Sequence, residues 1–177
     1  GSMVRKVLFF LLGVFFLACP APAADLTKFT SVRLIDSPAN DGDSFLVSLG
    51  DRHLHARLYF ADCTETILST QADVQRVREQ ARYFGVTDPA DVVRAGREAK
   101  AYTKKRLAEP FTVYTAFEDA MGRSPGTRVY AFVVTADQKD LASELVKLGQ
   151  ARAFGKSRAT PEGWSAGEMQ YRLRDLE

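Results

Sequence analysis

Asp41 and Asp43 flank Gly42 just ahead of one strand-like run, and Asp62 and Glu65 follow directly on another, in Phe60-Ala61-Asp62-Cys63-Thr64-Glu65. A Gly50-Asp51 turn joins the two runs, so in a hairpin the start of one lies beside the end of the other and Asp43 converges with Asp62. Carboxylates with backbone carbonyls nearby suit a hard cation, Ca²⁺ before Zn²⁺. By itself Asp-Gly-Asp is also an ordinary solvated turn. Arg57 lies on the strand between the two acidic clusters, with side-chain parity opposite to Leu58 and Phe60. Alone it reads as a structural ion-pair partner. Beside a metal, its planar two-toothed donor is what a phosphodiester oxyanion requires.

The elements that must position these residues follow from periodicity and turn chemistry. Phe29 to Ile35, Ser44 to Leu49 and His53 to Phe60 read as strands, the last with Leu54, Ala56, Leu58 and Phe60 on one face. Between the first two lies a dense turn signal, Ser37 to Asp43. In Asp73 to Phe84 the residues Val74, Val77, Ala81 and Phe84 share a helical face, and Gly85 can end that helix. Asp88-Pro89 opens a second helical pattern that runs to Leu107 and could break at Gly96. Strands Phe111 to Phe117 and Arg128 to Thr135 come next. They are followed by a helix over Leu141 to Leu148, a short strand over Ala151 to Phe154, and a last helix opened by the capping box Ser165-Ala166-Gly167-Glu168. The order predicts an α+β fold with enough strands for a small Greek-key barrel.

The 177 residues suffice for one domain with a core. Gly1-Ser2 reads as a tag remnant. Residues 3–23 read as a secretory signal, with Arg5 and Lys6, an apolar run from Val7 to Ala18, and the small-x-small site Ala21-Pro22-Ala23. The expectation is an exported protein, periplasmic or extracellular, with no stable membrane association once cleaved, and a monomer. Removing Arg5 and Lys6 from the 24 basic residues leaves 22, equal to the 22 acidic ones, so attraction to a polyanion must come from local patches. Cleavage also leaves Cys63 as the sole cysteine, which excludes an intramolecular disulfide.

Taken together, Asp41-Gly42-Asp43-Ser44, Arg57-Leu58-Tyr59 and Asp62-Cys63-Thr64-Glu65 resemble the staphylococcal nuclease (thermonuclease) family, whose pattern is Asp-Gly-Asp-Thr, Arg-Leu and Asp-x-Pro-Glu at the same internal spacings. Gly96 to Lys105 is similar to a helix of that family, and Arg128 to Val133 and Leu141 to Ala151 to its later strand and helix. The likeness covers roughly Val32 to Phe154. It implies a five-stranded OB-like barrel with about three flanking helices over residues 28–177, interrupted by a helical insertion at about 66–95. It implies a Ca²⁺-dependent nuclease that cleaves DNA or RNA at the bond to the 5′ oxygen, leaving 3′-phosphate ends. Asp43 and Asp62 would ligate Ca²⁺ by carboxylate and Cys63 by its backbone carbonyl, with Asp41 just outside that ligand set. Glu65 would orient or deprotonate the attacking water. Arg57 and a second arginine would clamp the phosphate. Local Gly-Arg similarity favours Arg123 for the second arginine, whereas strand register, with Ala131 three residues on, favours Arg128.

This chain departs from the family pattern at three places. Thr64 stands where the family has proline, which loosens the turn presenting Glu65. Cys63 replaces a small residue or threonine. Thr66 to Ala95 replaces a short loop, and it either lines the cleft or is a solvated elaboration. Among weaker signals, His53-Leu54-His55 lacks a third ligand, and Arg76, Arg78 and Arg82, diluted by Asp73 and Glu79, read as a solvated helix face. Two other functions stay open: a non-catalytic nucleic-acid-binding module on the same fold, and a barrel binding protein or glycan.

Overall fold

The computed structural model describes residues 26–66, 70–121 and 128–177, so the signal-like segment and Arg123 lie outside the described residues. Among the described residues, seven strands and four helices follow in the order β1 (Thr27–Leu34), β2 (Ser44–Leu49), β3 (Arg52–Leu58), β4 (Ala61–Cys63), α1 (Gln71–Phe84), α2 (Pro89–Arg106), β5 (Phe111–Thr115), β6 (Arg128–Val134), α3 (Leu141–Lys147), β7 (Ala151–Ala153) and α4 (Ala166–Leu176). The fold is α+β. Five strands close into a barrel in the order β1-β2-β3-β6-β5. The β3–β6 pair is parallel and the other barrel pairs are antiparallel. No helix among the described residues is long and apolar enough to cross a membrane.

Alternation builds the barrel. Phe45, Val47, Ala56, Leu58, Val113, Ala131 and Val133 point inward and are buried, while their neighbours in sequence are more exposed or face the helices. β1 serves two partners, β5 along its first half and β2 at Arg33 and Leu34. The register shift between Phe29 and Val32, with Ser31 at φ 55°, bends the strand between them. Leu107 at the end of α2, Leu141 and Leu145 of α3, and Leu173 of α4 cap the same core.

Two sequence expectations change. β3 ends at Leu58 rather than at Phe60, because Phe60 adopts a left-handed φ of 65° and turns the chain. A phenylalanine pays for that conformation, and deep burial of its ring offsets the cost. The chain beyond the turn forms β4, a three-residue strand the pattern does not announce, which pairs antiparallel with β7. α2 does not break at Gly96; it runs unbroken through it. The reason is packing, since a Cβ at Gly96 would stand 2.5 Å from the Glu65 carbonyl oxygen and 2.6 Å from that of Thr64.

The described part of the span that reads as an insertion is built by α1 and the start of α2, which pack as a helical hairpin. Thr70 caps α1 in a capping box with Asp73, and Gly85 ends it in the left-handed conformation. Asp88 caps α2 ahead of Pro89. Val77 and Ala81 pack on Val92 to give this hairpin a small core of its own.

Candidate active site

The acidic turns are braced by one face of α2. Val92, Gly96, Ala99 and Thr103 recur at helical spacing on that face and are buried. The Thr64 hydroxyl donates to the Val92 carbonyl at 2.8 Å, and the Thr103 hydroxyl donates to the Gly42 carbonyl at 2.7 Å. Gly42 itself lies so close to Ala99 and to the Cys63 sulfur that a Cβ there would meet them at 2.9 and 2.8 Å. Both turns are therefore fixed by backbone contact with one rigid helix. Thr64 is held in its turn by that hydrogen bond to the helix.

Arg57 joins the two acidic turns. Its Nη1 lies 3.0 Å from Asp43 Oδ1, and its Nη2 donates to Asp62 Oδ1 at 2.8 Å. Arg57 and Asp62 are five residues apart, about 16 Å along a straight strand. The left-handed turn at Phe60 is what folds Asp62 back. Asp43 Oδ2 also accepts the Cys63 N–H at 2.7 Å, which ties the first turn to the second. The register of β4 and β7 sets Asp62 opposite Arg152, whose Nε donates to Asp62 Oδ2 at 2.7 Å. The Arg152 guanidinium lies over the Phe154 ring, 4.2 Å from its centroid. Arg152 is a site residue that strand reading alone passes over; its signal is its position on a strand paired to Asp62.

Burial pushes the Asp43 carboxyl up to about 6; Arg57 opposes the shift, and the negative charges of Asp62 and Asp41 add to it. Burial also raises the Glu65 carboxyl, with Arg76 opposing and Asp41 adding. Asp41 thus acts on both Asp43 and Glu65, and its Oδ1 accepts from the Thr66 hydroxyl at 3.2 Å. The Cys63 thiol is buried and raised well above its usual range, which leaves it inert.

The helix read as a solvated face reaches into the site. Arg76 Nε lies 2.8 Å from Glu65 Oε1. Gln80, buried, accepts the Glu65 N–H at 3.1 Å and donates to the Cys63 carbonyl at 3.4 Å. Neither contact is visible in sequence, because both depend on how the hairpin docks.

Arg128 opens β6 opposite His55, and Tyr130 lies opposite Arg57, so Arg128 and Arg57 project from the same face two positions apart. The Arg128 guanidinium donates to the carbonyls of Ala120 and Met121. His55 is turned to the Ser44 hydroxyl, with Nε2 3.1 Å from Oγ.

Among the described residues, no group of three or more His, Cys, Asp and Glu side chains is arranged to hold a metal ion. The donor chemistry still suits a hard cation. The atoms on offer at Asp41, Asp43, Asp62 and the Cys63 carbonyl are all oxygens, and Asp62 and Asp41 each add to the rise of the Asp43 carboxyl that burial causes and Arg57 opposes. At present Arg57 supplies the positive charge that both Asp43 and Asp62 require. Compared with known proteins, the chain matches no family model and no curated protein.

Proposed function

We propose that this protein is a Ca²⁺-dependent phosphodiesterase of the staphylococcal-nuclease type, hydrolysing DNA or RNA strands to 3′-phosphate products. The observation that carries the reading is the arginine shared between Asp43 and Asp62, with Glu65 on the adjoining turn and Arg128 on the same face. The strand order supports an OB-like, Greek-key barrel: counted among the barrel strands alone it runs 1-2-3-5-4 and back to 1.

The roles follow from the side chains. Glu65 takes a proton from water as its oxygen attacks phosphorus, and its burial lifts its basicity toward that task. The bond from phosphorus to the 5′ oxygen breaks, and the 5′ oxygen keeps the bonding pair and is protonated from solvent. Arg57 and Arg128 hold non-bridging phosphate oxygens as charge builds on them; Arg123 is the alternative to Arg128. Asp43 and Asp62 would hold Ca²⁺, with the Cys63 carbonyl as a further oxygen and Asp41 close by. Bound there, the ion would polarise a phosphate oxygen and offset its developing charge. For that, Arg57 must pass from the carboxylates to the phosphate, so its ion pairs are those of the resting protein.

The test is hydrolysis of an end-labelled oligonucleotide by the full chain in Ca²⁺ and in EDTA, with the product termini identified. Cleavage in Ca²⁺ only, leaving 3′-phosphates, is expected. Binding without cleavage in either buffer would replace this reading with a nucleic-acid-binding module.

A further inference from the structure

α1 presents three side chains to the Glu65 turn from a single face, Asp73, Arg76 and Gln80, spaced as neighbours on a helix. Gln80 sets the register of the helix against the turn, because one amide spans the Cys63 carbonyl and the Glu65 N–H. Asp73 is buried and fixed by the capping box, where it accepts the Thr70 N–H at 2.9 Å. It holds Arg76 through Nη2, and Arg76 Nε reaches Glu65. The Arg76 side chain is nevertheless 47% exposed, so part of the guanidinium faces solvent beside the residue assigned as base. A guanidinium oriented by a buried carboxylate, partly open, and touching a general base is built to meet an anion.

We propose that Arg76, supplied by the inserted helix, contacts the scissile phosphate beside Glu65; the proposal rests on the phosphodiesterase reading above. A phosphate oxygen that enters the site draws the guanidinium toward substrate. Asp73 keeps the guanidinium on the helix face throughout, so the change is a small swing rather than a release. The inserted helix is then a working wall of the site.

Two measurements decide this in the full-length protein. The first is steady-state hydrolysis of a labelled oligonucleotide. Arg76→Ala is expected to lower kcat about 10- to 100-fold, on the scale of losing one transition-state donor. Arg76→Lys is not expected to restore it, since an ammonium cannot span two oxygens. Millimolar guanidinium is expected to rescue the alanine variant in part. Unchanged or raised kcat in Arg76→Ala, with Glu65→Gln inactive in the same assay, overturns the proposal and leaves Arg76 as a resting counter-ion only. The second is fluorescence-anisotropy binding of the same oligonucleotide on a Glu65→Gln background, where no turnover intervenes. Removing Arg76 should weaken binding and reduce the salt slope by about one unit. If the wild type binds but does not hydrolyse, the phosphodiesterase reading fails while a lost contact still supports the Arg76–phosphate pairing. Unchanged binding and salt slope overturn that pairing whatever the activity.

Discussion

Replacing Gly96 with alanine tests how tightly α2 positions Glu65, the proposed base. The added Cβ would stand 2.5 Å from the Glu65 carbonyl oxygen, 2.6 Å from that of Thr64 and 2.9 Å from the Glu65 carbonyl carbon, whereas ordinary contact begins at 3.4 Å. The nearest shortfall is 0.9 Å, and every atom concerned is backbone, so no flexible side chain can absorb it. Either the helix or the Glu65 turn must move by about an ångström. Overpacking of this kind costs about 1–3 kcal/mol, while alanine in a helix interior returns about 1 kcal/mol over glycine, so net destabilisation is about 0–2 kcal/mol. The catalytic effect is larger, because a misplacement of about 1 Å costs on the order of 100-fold in rate. The assay pairs oligonucleotide hydrolysis with urea denaturation. Gly167→Ala serves as the control, since that glycine lies in α4 with nothing within 4 Å of a new Cβ. It should leave kcat unchanged. A Gly96→Ala protein with wild-type kcat, or one stabilised by the full helical gain, would refute the bracing of Glu65 by α2.

Arg128→Lys should lose at least ~10-fold in kcat despite keeping its charge, because lysine cannot bind two phosphate oxygens, whereas Arg123→Lys should mainly raise KM; steady-state kinetics on both variants separates them. The metal-free protein should lose stability as pH rises. Asp43 goes from 3.8 unfolded to about 6 folded, so its ionisation opposes folding; the cost is absent below pH 4 and complete above pH 6. The shift corresponds to at most about 3 kcal/mol, and denaturation of chelator-treated wild type against Asp43→Asn across that range should show a steeper slope in the wild type than in the variant. Arg106→Ala should cost about 1–2 kcal/mol without altering kcat, because Arg106 ties α2 to Glu144 and Asp137. Urea midpoints and kcat measured side by side check it.

What was legible in the sequence was whatever local pattern and turn chemistry govern. β2 begins and ends where alternation places it, and the caps at Asp88 and Ser165 and the stop at Gly85 are where side-chain chemistry puts them. The meeting of Asp43 with Asp62 followed from the hairpin, although the structure routes it through Arg57. β4 was not legible, since three residues carry no period and only pairing with β7 makes them a strand. Gly96 reads as a helix breaker until the Glu65 backbone lies against it, because close approach is a property of packing. Arg76 and Gln80 sit in a helix whose charges alternate in sign, and nothing local distinguishes the arginine that meets Glu65 from Arg78 or Arg82.

The most direct test of the account is the turnover of Glu65→Gln in Ca²⁺. The substitution is nearly isosteric and leaves the Gln80 bond to the backbone N–H of residue 65 in place. It should therefore fold with an unchanged urea midpoint, bind oligonucleotide, and hydrolyse it at least ~100-fold more slowly, the scale of losing a general base. Near-normal turnover in the folded variant would contradict the assignment of Glu65 as the base and, with it, the nuclease mechanism drawn around Arg57.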